Sequence, residues 1–157
     1  MFREMRRFKQ QLSEEECRKV LTEERRGVLA VNGDDGYPYS VPVNFYYNPE
    51  KNWIVFHGAK VGHKVDSIRN NDKVCFTTWD KGYQKEDWSY YVNSVVVFGR
   101  AVLVENPEEV YEEAMKFGAK YFPTREELET EMKQSFHRTQ FILLKIEHMT
   151  GKLVHEQ

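Results

Sequence analysis

The sequence has few of the features that mark disulfide-stabilised, metal-binding or membrane-spanning proteins. Its 157 residues include only two cysteines, Cys17 and Cys75, which form no C-x-x-C or other metal-ligand spacing. We expect both to be small buried thiols in a reducing compartment. No apolar run is long enough to cross a membrane, and the first residues lack the apolar core of a signal peptide. The sequence therefore predicts a single domain over residues 1–157, located in the cytoplasm and without a membrane partner.

Excess positive charge is also missing. The formal net charge is −2, whereas a protein that binds nucleic acid needs a basic surface to neutralise phosphates. The short basic run Arg3, Arg6, Arg7 and Lys9 precedes three consecutive glutamates, so we interpret it as a solvated arm. The five histidines include no pair at i, i+4 spacing, and no G-x-S-x-G is present. We expect no nucleic-acid partner, no metal site and no hydrolase activity.

The patterns that are present indicate a mainly β protein with flanking helices. Ser13 and Glu16 form a capping box at the start of a helix that runs to about Arg25, with Gly27 as its left-handed cap. Six apolar or alternating segments predict strands, which short connections make antiparallel. A six-stranded antiparallel set of this kind forms a small closed or split barrel. The predicted strands cover residues 28–31, 37–47, 53–57, 74–79, 90–105 and 140–149.

Three more helices are expected around these strands, and the charged segment 80–89 is expected to be a loop. Each helix has a local signal in the sequence. The signals are an apolar face formed by Val61, Val65 and Ile68, a cap and first residue at Asn106-Pro107, and a capping box formed by Thr124 and Glu127.

The second predicted strand carries the first functional signal. Pro38 and Pro42 are four residues apart, so both lack their N–H on the same edge of the strand. That edge either faces solvent or receives a ligand or partner chain. The strand alternates strictly, which makes one of its faces a core face. One face carries Tyr37, Tyr39, Val41, Val43, Phe45 and Tyr47, and the other carries Pro38, Ser40, Pro42, Asn44 and Tyr46.

The second functional signal is the segment 57–64, where a strand ends, two glycines follow and a helix begins. A helix N-terminus presents free N–H groups and a positive dipole end, which favour a phosphate. His63 and Lys64 lie in the first turn of that helix and can add donors and charge. The spacing is not that of a Walker A motif. The segment is therefore either a phosphate site or an ordinary strand-to-helix turn with a surface lysine.

Four segments, taken in order, resemble the pyridoxamine 5′-phosphate oxidase-like flavoproteins, and most closely the nitroimidazole-resistance (Nim-type) branch. The resemblance spans about Leu12 to Lys152. It implies an FMN-binding split barrel that forms a homodimer with FMN at the subunit interface. The segments are residues 36–45, residues 56–59 with 62–68, residues 94–101 and residues 144–152.

The resemblance also implies which residues contact the cofactor at the edge strand and across the interface. Pro42, Val43 and Asn44 match positions along the isoalloxazine ring, which agrees with an open edge at the prolines. Ser94 and Val95 match positions near the cofactor that are reached from the other subunit.

The same resemblance assigns roles within segment 57–64. His57, Gly58 and Ala59 match a turn that touches the flavin, and His63 and Lys64 match residues that hold its phosphate. A histidine at the place of His57 lies close to flavin and substrate in Nim-type proteins, so His57 is the candidate catalytic residue.

Two functions of different classes follow from this resemblance. The first is an FMN-dependent oxidoreductase acting on a small molecule, such as a nitro-aromatic or another flat electron acceptor. The second is a non-catalytic flavin- or haem-binding module, a redox sensor or cofactor store. A non-flavin β-barrel interaction domain is a third interpretation. Vitamin B6 oxidation is not expected, because the sequence up to Gln157 contains no arginine- and histidine-bearing C-terminal segment like that of the authentic oxidases.

Overall fold

The computed structural model describes residues 1–155, which form eight strands and four α-helices. The strands form one antiparallel sheet in the order β2-β1-β5-β7-β8-β4-β3, with β6 beside β7. The strands are β1 (Arg26–Asn32), β2 (Pro38–Asn44), β3 (Tyr46–Asn48), β4 (Trp53–Ala59), β5 (Lys73–Trp79), β6 (Tyr83–Gln84), β7 (Tyr90–Leu103) and β8 (Thr139–His155). The helices are α1 (Glu14–Glu23), α2 (His63–Asn70), α3 (Pro107–Tyr121) and α4 (Arg125–Ser135).

The prediction of a mainly β split barrel with flanking helices is confirmed. All six predicted strands are present, as β1, β2 with β3, β4, β5, β7 and β8. The count rises to eight because the second predicted strand divides at Phe45 and because the expected loop 80–89 contains the two-residue β6. Tyr37 is 75% exposed and precedes β2, so this strand begins one residue later than predicted.

The division at Phe45 is what curls the sheet. β2 is paired with β1 at one end of the sheet order, and β3 is paired with β4 at the other end. Because β2 and β3 are separated by a single residue, the chain joins the two ends of the sheet at Phe45. We call this junction the seam. The prediction that the proline-bearing strand lies at an edge is confirmed, since β1 is the one neighbour of β2 in the sheet of residues 1–155.

The interior of the curled sheet is the main apolar core. Inward side chains alternate with outward ones along β1, β5 and β7, as a strand with one buried face requires. The largest fully buried side chains include Phe45, Phe56, Phe76, Leu29, Ile54, Ile142 and Leu144.

The helix ends follow their local sequence except at Gly27. Ser13 and Glu16 form the predicted capping box, with hydrogen bonds of 3.2 and 2.7 Å. α1 ends at Glu23, and Gly27 lies inside β1 with a negative φ, so its assignment as a helix cap was wrong. A Cβ at Gly27 would lie 2.4 Å from the ring of Phe76, so glycine is needed there for close strand packing.

The other helices confirm most of their predicted starts. Asn106 caps α3 with Pro107 as its first residue, and the Thr124 hydroxyl accepts a hydrogen bond from the Glu127 N–H at the start of α4. Val61 precedes α2 and is 78% exposed, so its place on the apolar face of that helix was wrong. No helix within residues 1–155 has the length and apolarity of a membrane span.

Candidate functional site

Two cavities meet at the end of β4. The larger has a volume of about 410 Å³ and lies between β4, β8 and the helices α3 and α4. The smaller, about 220 Å³, lies between β2 and the start of α2, and we call it the cleft. Ala59 lines both, so a ligand in one cavity lies beside a ligand in the other.

The cleft ends at the N-terminus of α2. Gly62 occupies the N-cap position with φ of +134°, a conformation that favours glycine, and it provides no side chain to cap the helix. The first N–H groups of α2 therefore lack a side-chain acceptor. The His63 ring stacks on Tyr39 with centroids 4.1 Å apart, and its Nε2 lies 3.7 Å from the carboxylate of Asp34. The stacking fixes His63 against the inner face of β2.

Lys64 is the charged group of the cleft without a fixed counter-ion. Its ammonium makes no hydrogen bond or ion pair with any residue in the range 1–155, although the side chain is half-buried. Burial lowers the pKa of Lys64 from its usual value. A Cβ at Gly58 would lie 3.1 Å from the Lys64 Nζ, so glycine at 58 leaves room for the amine. An unpaired cation beside free helix N–H groups is an arrangement that binds anions.

His57 lies at the mouth of the larger cavity, where its ring remains accessible to solvent. The ring centroid is 4.6 Å from that of Phe117 on α3. Desolvation by the surrounding residues and, second, the nearby charge of Lys64 lower the pKa of His57 from its usual 6.5. The imidazole is therefore neutral at pH 7 and can donate one hydrogen bond and accept another.

Six of the ten predicted site residues line the two cavities. They are Pro42, Ala59, His63 and Lys64 in the cleft, and His57 and Gly58, with Ala59 again, in the larger cavity.

The other four predicted residues lie outside both cavities of this chain. Val43 packs against the barrel core, and Asn44 pairs with Arg26 at the end of β2. Ser94 is on the outer face of β7, where its hydroxyl points to the Lys152 carbonyl at 3.5 Å. Val95 is completely buried in the core of this chain.

Sequence reasoning missed the far wall of the larger cavity. That wall comes from α3, α4 and the short turn after α4, none of which carries a recognisable ligand motif. The capping signals at Asn106 and Thr124 locate the helices, but they do not indicate which surface the helices cover. The missed residues are Phe117, Phe122, Leu128, Met132 and Phe136.

A comparison with models of protein families shows which family the chain belongs to. The model of the pyridoxamine 5′-phosphate oxidase family matches residues 13–153. The chain belongs to this family. The resemblance noted in the four sequence segments is thereby confirmed, and no curated protein matches the sequence closely enough to add to it.

Solved structures share the fold of this family member at low sequence identity. A candidate 5-nitroimidazole antibiotic resistance protein from Bacteroides thetaiotaomicron is 17% identical, with a TM-score of 0.81 over 92% of this chain and 87% of its own. An FAD-binding protein from Mycobacterium smegmatis is 21% identical, with a TM-score of 0.66 over 93% and 98% of the two chains. An FAD- and haem-binding protein from the same organism is 19% identical, with a TM-score of 0.66 over 92% and 73%.

Proposed function

We propose that this protein binds FMN in the cleft and uses it to transfer electrons to or from a small molecule held in the larger cavity. The observation that carries the proposal is Lys64, a half-buried cation with no ion-pair partner in residues 1–155, at the uncapped start of α2. FMN ends in a single phosphate, which is the type of group that such a site binds. Solved structures with this fold include proteins described as flavin-binding.

The residues present fit the cofactor in charge. His63, Lys64 and the first N–H groups of α2 would hold the phosphate. Pro42 on the edge strand and the small residues Gly58 and Ala59 leave a smooth surface for a flat ring system. When bound, the flavin supplies one- and two-electron transfer, while the protein supplies binding and orientation. Neutral His57, at the adjoining cavity, is the group available to hold or move a proton on a substrate.

A homodimer with the cofactor at its interface remains part of the proposal. The outer faces of β1, β5 and β7 present a row of largely apolar side chains that are not fully buried in one chain. Val28 and Val96 flank Thr77 in one cross-strand row, and Cys75 neighbours Phe98 in the next. An apolar sheet face of this extent is typical of a protein–protein interface. Ser94 lies on the same face, where a partner's cofactor would reach it.

The interface is tested by Val96→Glu, which places a charge at the centre of that face. We expect light scattering to show dimers for the parent protein and monomers for the variant, and we expect the monomer to lose FMN. A Val96→Glu protein that remains dimeric, or a monomer that binds FMN as tightly as the parent, would contradict the interface placement.

The phosphate assignment is tested by titrating FMN, riboflavin and FAD into the protein and following flavin fluorescence. Lys64→Ala removes a charged partner of the phosphate, which contributes about 1.5–3 kcal/mol, so the FMN affinity should fall about tenfold or more. Lys60→Ala is the matched control, because Lys60 is exposed in the same turn and does not line the cleft. Riboflavin, which lacks the phosphate, should bind weakly and should not distinguish Lys64→Ala from the parent.

Three results would refute the assignment of FMN as the cofactor. The first is an unchanged FMN affinity in Lys64→Ala, and the second is a riboflavin affinity equal to that of FMN. The third is tighter binding of FAD than of FMN. The protein would then still be a flavin-binding protein, but its cofactor would be FAD.

The second candidate function is a flavin- or haem-binding module without turnover. The specific observation in its favour is the fold shared with an FAD- and haem-binding protein. An absorption spectrum separates flavin from haem, and oxidation of reduced nicotinamide with a nitro-aromatic acceptor separates an enzyme from a module. Turnover by the parent that falls in His57→Ala, with both proteins saturated with FMN, supports the oxidoreductase. A flavin that is slow to reduce and slow to reoxidise supports the module.

A further inference from the structure

Arg138 places a cation in the wall of the larger cavity. It ends the short turn Phe136–Arg138 that follows α4, and it is exposed. Its guanidinium donates to the Ser135 hydroxyl at 3.2 Å and forms no ion pair with any residue of the range 1–155. A guanidinium has five N–H donors in a planar fork, so most of them remain available to a ligand.

Glu131 places a carboxylate near the same rim. The Ser135 hydroxyl donates to this carboxylate at 2.5 Å, and the same hydroxyl accepts the bond from Arg138. Ser135 therefore lies between the two charged groups. A ligand with one negative charge can pair with Arg138, whereas a second negative charge would be repelled by Glu131 without gaining a second cation at this rim.

Lys64 adds positive charge from the adjoining cleft. Its Nζ would lie 3.1 Å from a Cβ at Gly58, and Gly58 lines the larger cavity. The charge of Lys64 is also one of the causes that lower the pKa of His57, which lines the same cavity. When the proposed phosphate occupies Lys64, Arg138 still remains for an anion in the larger cavity.

The sheet register places Arg138 at the end of the cavity that adjoins the cleft. Arg138 directly precedes Thr139, which pairs with Ala59 across β8 and β4. Ala59 lines both cavities. A group held by Arg138 therefore lies at the cleft side of the larger cavity.

Most of the remaining wall is apolar and rich in aromatic rings. The Phe117 ring packs edge-to-face on Phe141 and lies 4.6 Å from the His57 ring, and such a wall favours an aromatic ligand. A cavity of about 150 Å³ holds one benzene molecule. The volume here is about 410 Å³, which has room for a ring and its substituents or for two rings. The apolar wall residues are Phe117, Phe122, Leu128, Met132, Phe136 and Phe141.

From these observations we infer that the larger cavity binds an aromatic monocarboxylate, with its rings on the apolar wall and its carboxylate on Arg138. Carboxylate and guanidinium are both planar and can form two parallel hydrogen bonds. Because Arg138 is exposed at the rim, the carboxylate keeps part of its hydration there. That this ligand is the substrate rests on the proposed function, which places the cofactor across Ala59.

The test compares 2-naphthoate with 2-naphthamide, an uncharged analogue of the same shape, and with acetate, which lacks the rings. Binding is measured by calorimetry on the full chain at neutral pH, with and without saturating FMN. Water weakens the attraction of exposed charges, so we expect 2-naphthoate to bind about fivefold more tightly than 2-naphthamide. Acetate should bind much more weakly than either, because it leaves the apolar wall uncovered.

Arg138→Gln should weaken 2-naphthoate binding about fivefold and leave 2-naphthamide binding within about twofold. Lys133→Gln is the matched control, because Lys133 is an exposed cation on α4 that does not line the cavity. It removes the same charge five residues away and should change neither affinity by more than about twofold. Arg138→Lys keeps the charge without the planar fork, so it should bind 2-naphthoate more tightly than Arg138→Gln.

Glu131→Gln provides a gain of affinity that a folding defect cannot imitate. It removes the negative charge near Arg138 and keeps an oxygen that can accept the Ser135 hydrogen bond. We expect 2-naphthoate to bind this variant about threefold more tightly than the parent, with 2-naphthamide unchanged.

Several results would overturn the inference. The parent would bind 2-naphthamide or acetate as tightly as 2-naphthoate, or Arg138→Gln would weaken both naphthalene probes equally. An unchanged 2-naphthoate affinity in Glu131→Gln, or equal losses in Lys133→Gln and Arg138→Gln, would also contradict it. A preference for 2-naphthoate that disappears in Lys64→Ala and persists in Arg138→Gln would place the carboxylate in the cleft instead.

The two proposals fail in different ways. Absence of FMN binding in the parent, with the Arg138-dependent preference for 2-naphthoate intact, refutes the proposed cofactor and keeps the ligand class of the larger cavity. Normal FMN binding without that preference refutes the ligand class and keeps the cofactor.

Discussion

Removing one hydroxyl at the seam should destabilise the whole barrel. Tyr121, the last residue of α3, accepts a hydrogen bond from the Phe45 N–H at 2.9 Å. Its single hydroxyl proton can be donated to the Phe45 carbonyl at 2.6 Å or to the Arg25 carbonyl at 2.5 Å. Phe45 is the one residue between β2 and β3. These bonds therefore hold the backbone where the chain passes from β2 at one edge of the sheet to β3 at the other. Tyr121→Phe removes both bonds and keeps the ring that packs against Phe117.

The size of the effect follows from the partners that remain. The Phe45 carbonyl keeps the Lys120 ammonium at 3.1 Å, and the Phe45 N–H keeps only a longer bond of 3.3 Å to the Arg25 carbonyl. We therefore expect a loss of about 1–2 kcal/mol in the free energy of unfolding. For a chain of this length that lowers the melting temperature by about 2–8 °C.

The assay is urea unfolding followed by circular dichroism, with Tyr111→Phe as the matched control. Tyr111 lies on the same helix with about half of its surface exposed, so its variant should change stability by less than about 0.5 kcal/mol. If the two variants have the same unfolding midpoint, the hydroxyl at the seam contributes nothing and the argument for the seam fails.

Two further predictions concern buried positions near the seam. Burial lowers the pKa of Lys120 to about 8 from 10.5, so above pH 8 the unfolded chain binds a proton that the folded chain does not. The free energy of unfolding should therefore rise by about 2 kcal/mol from pH 8 to pH 10 in the parent relative to Lys120→Met, and parallel urea curves for the two proteins would refute this. Gly27→Ala should lower stability by about 1–3 kcal/mol, because its Cβ would lie 2.4 Å from Phe76 and 2.5 Å from the Thr77 carbonyl. An unchanged thermal midpoint would contradict this prediction, because it would show that β5 can shift away from the new Cβ without loss of stability.

The sequence predicted those features that depend on neighbours a few residues away. The capping box at Ser13 and the cap at Asn106 follow from local hydrogen-bonding rules. The phosphate signal at Lys64 was found for the same reason, because strand end, glycines and helix start are contiguous.

Features that depend on distant partners were not predictable. The break at Phe45 interrupts a strictly alternating strand, and the hydroxyl that bonds the Phe45 backbone there belongs to Tyr121, which lies 76 residues later. Gly27 follows a helix closely enough to be taken for its cap, yet its role is set by Phe76 in another strand. The larger cavity joins His57 to a helix pair whose sequence specifies helices and not the surface they cover.

The position of β8 in the sheet has a consequence for synthesis of the chain. β8 lies between β7 and β4 in the sheet, although it follows both of them along the chain. Before residues 139–155 are available, β4 has only the short β3 as a neighbour, and the other strands form a separate group. A ribosome that has not yet translated β8 therefore carries two unjoined pieces of sheet with open edges, and their joining waits for β8.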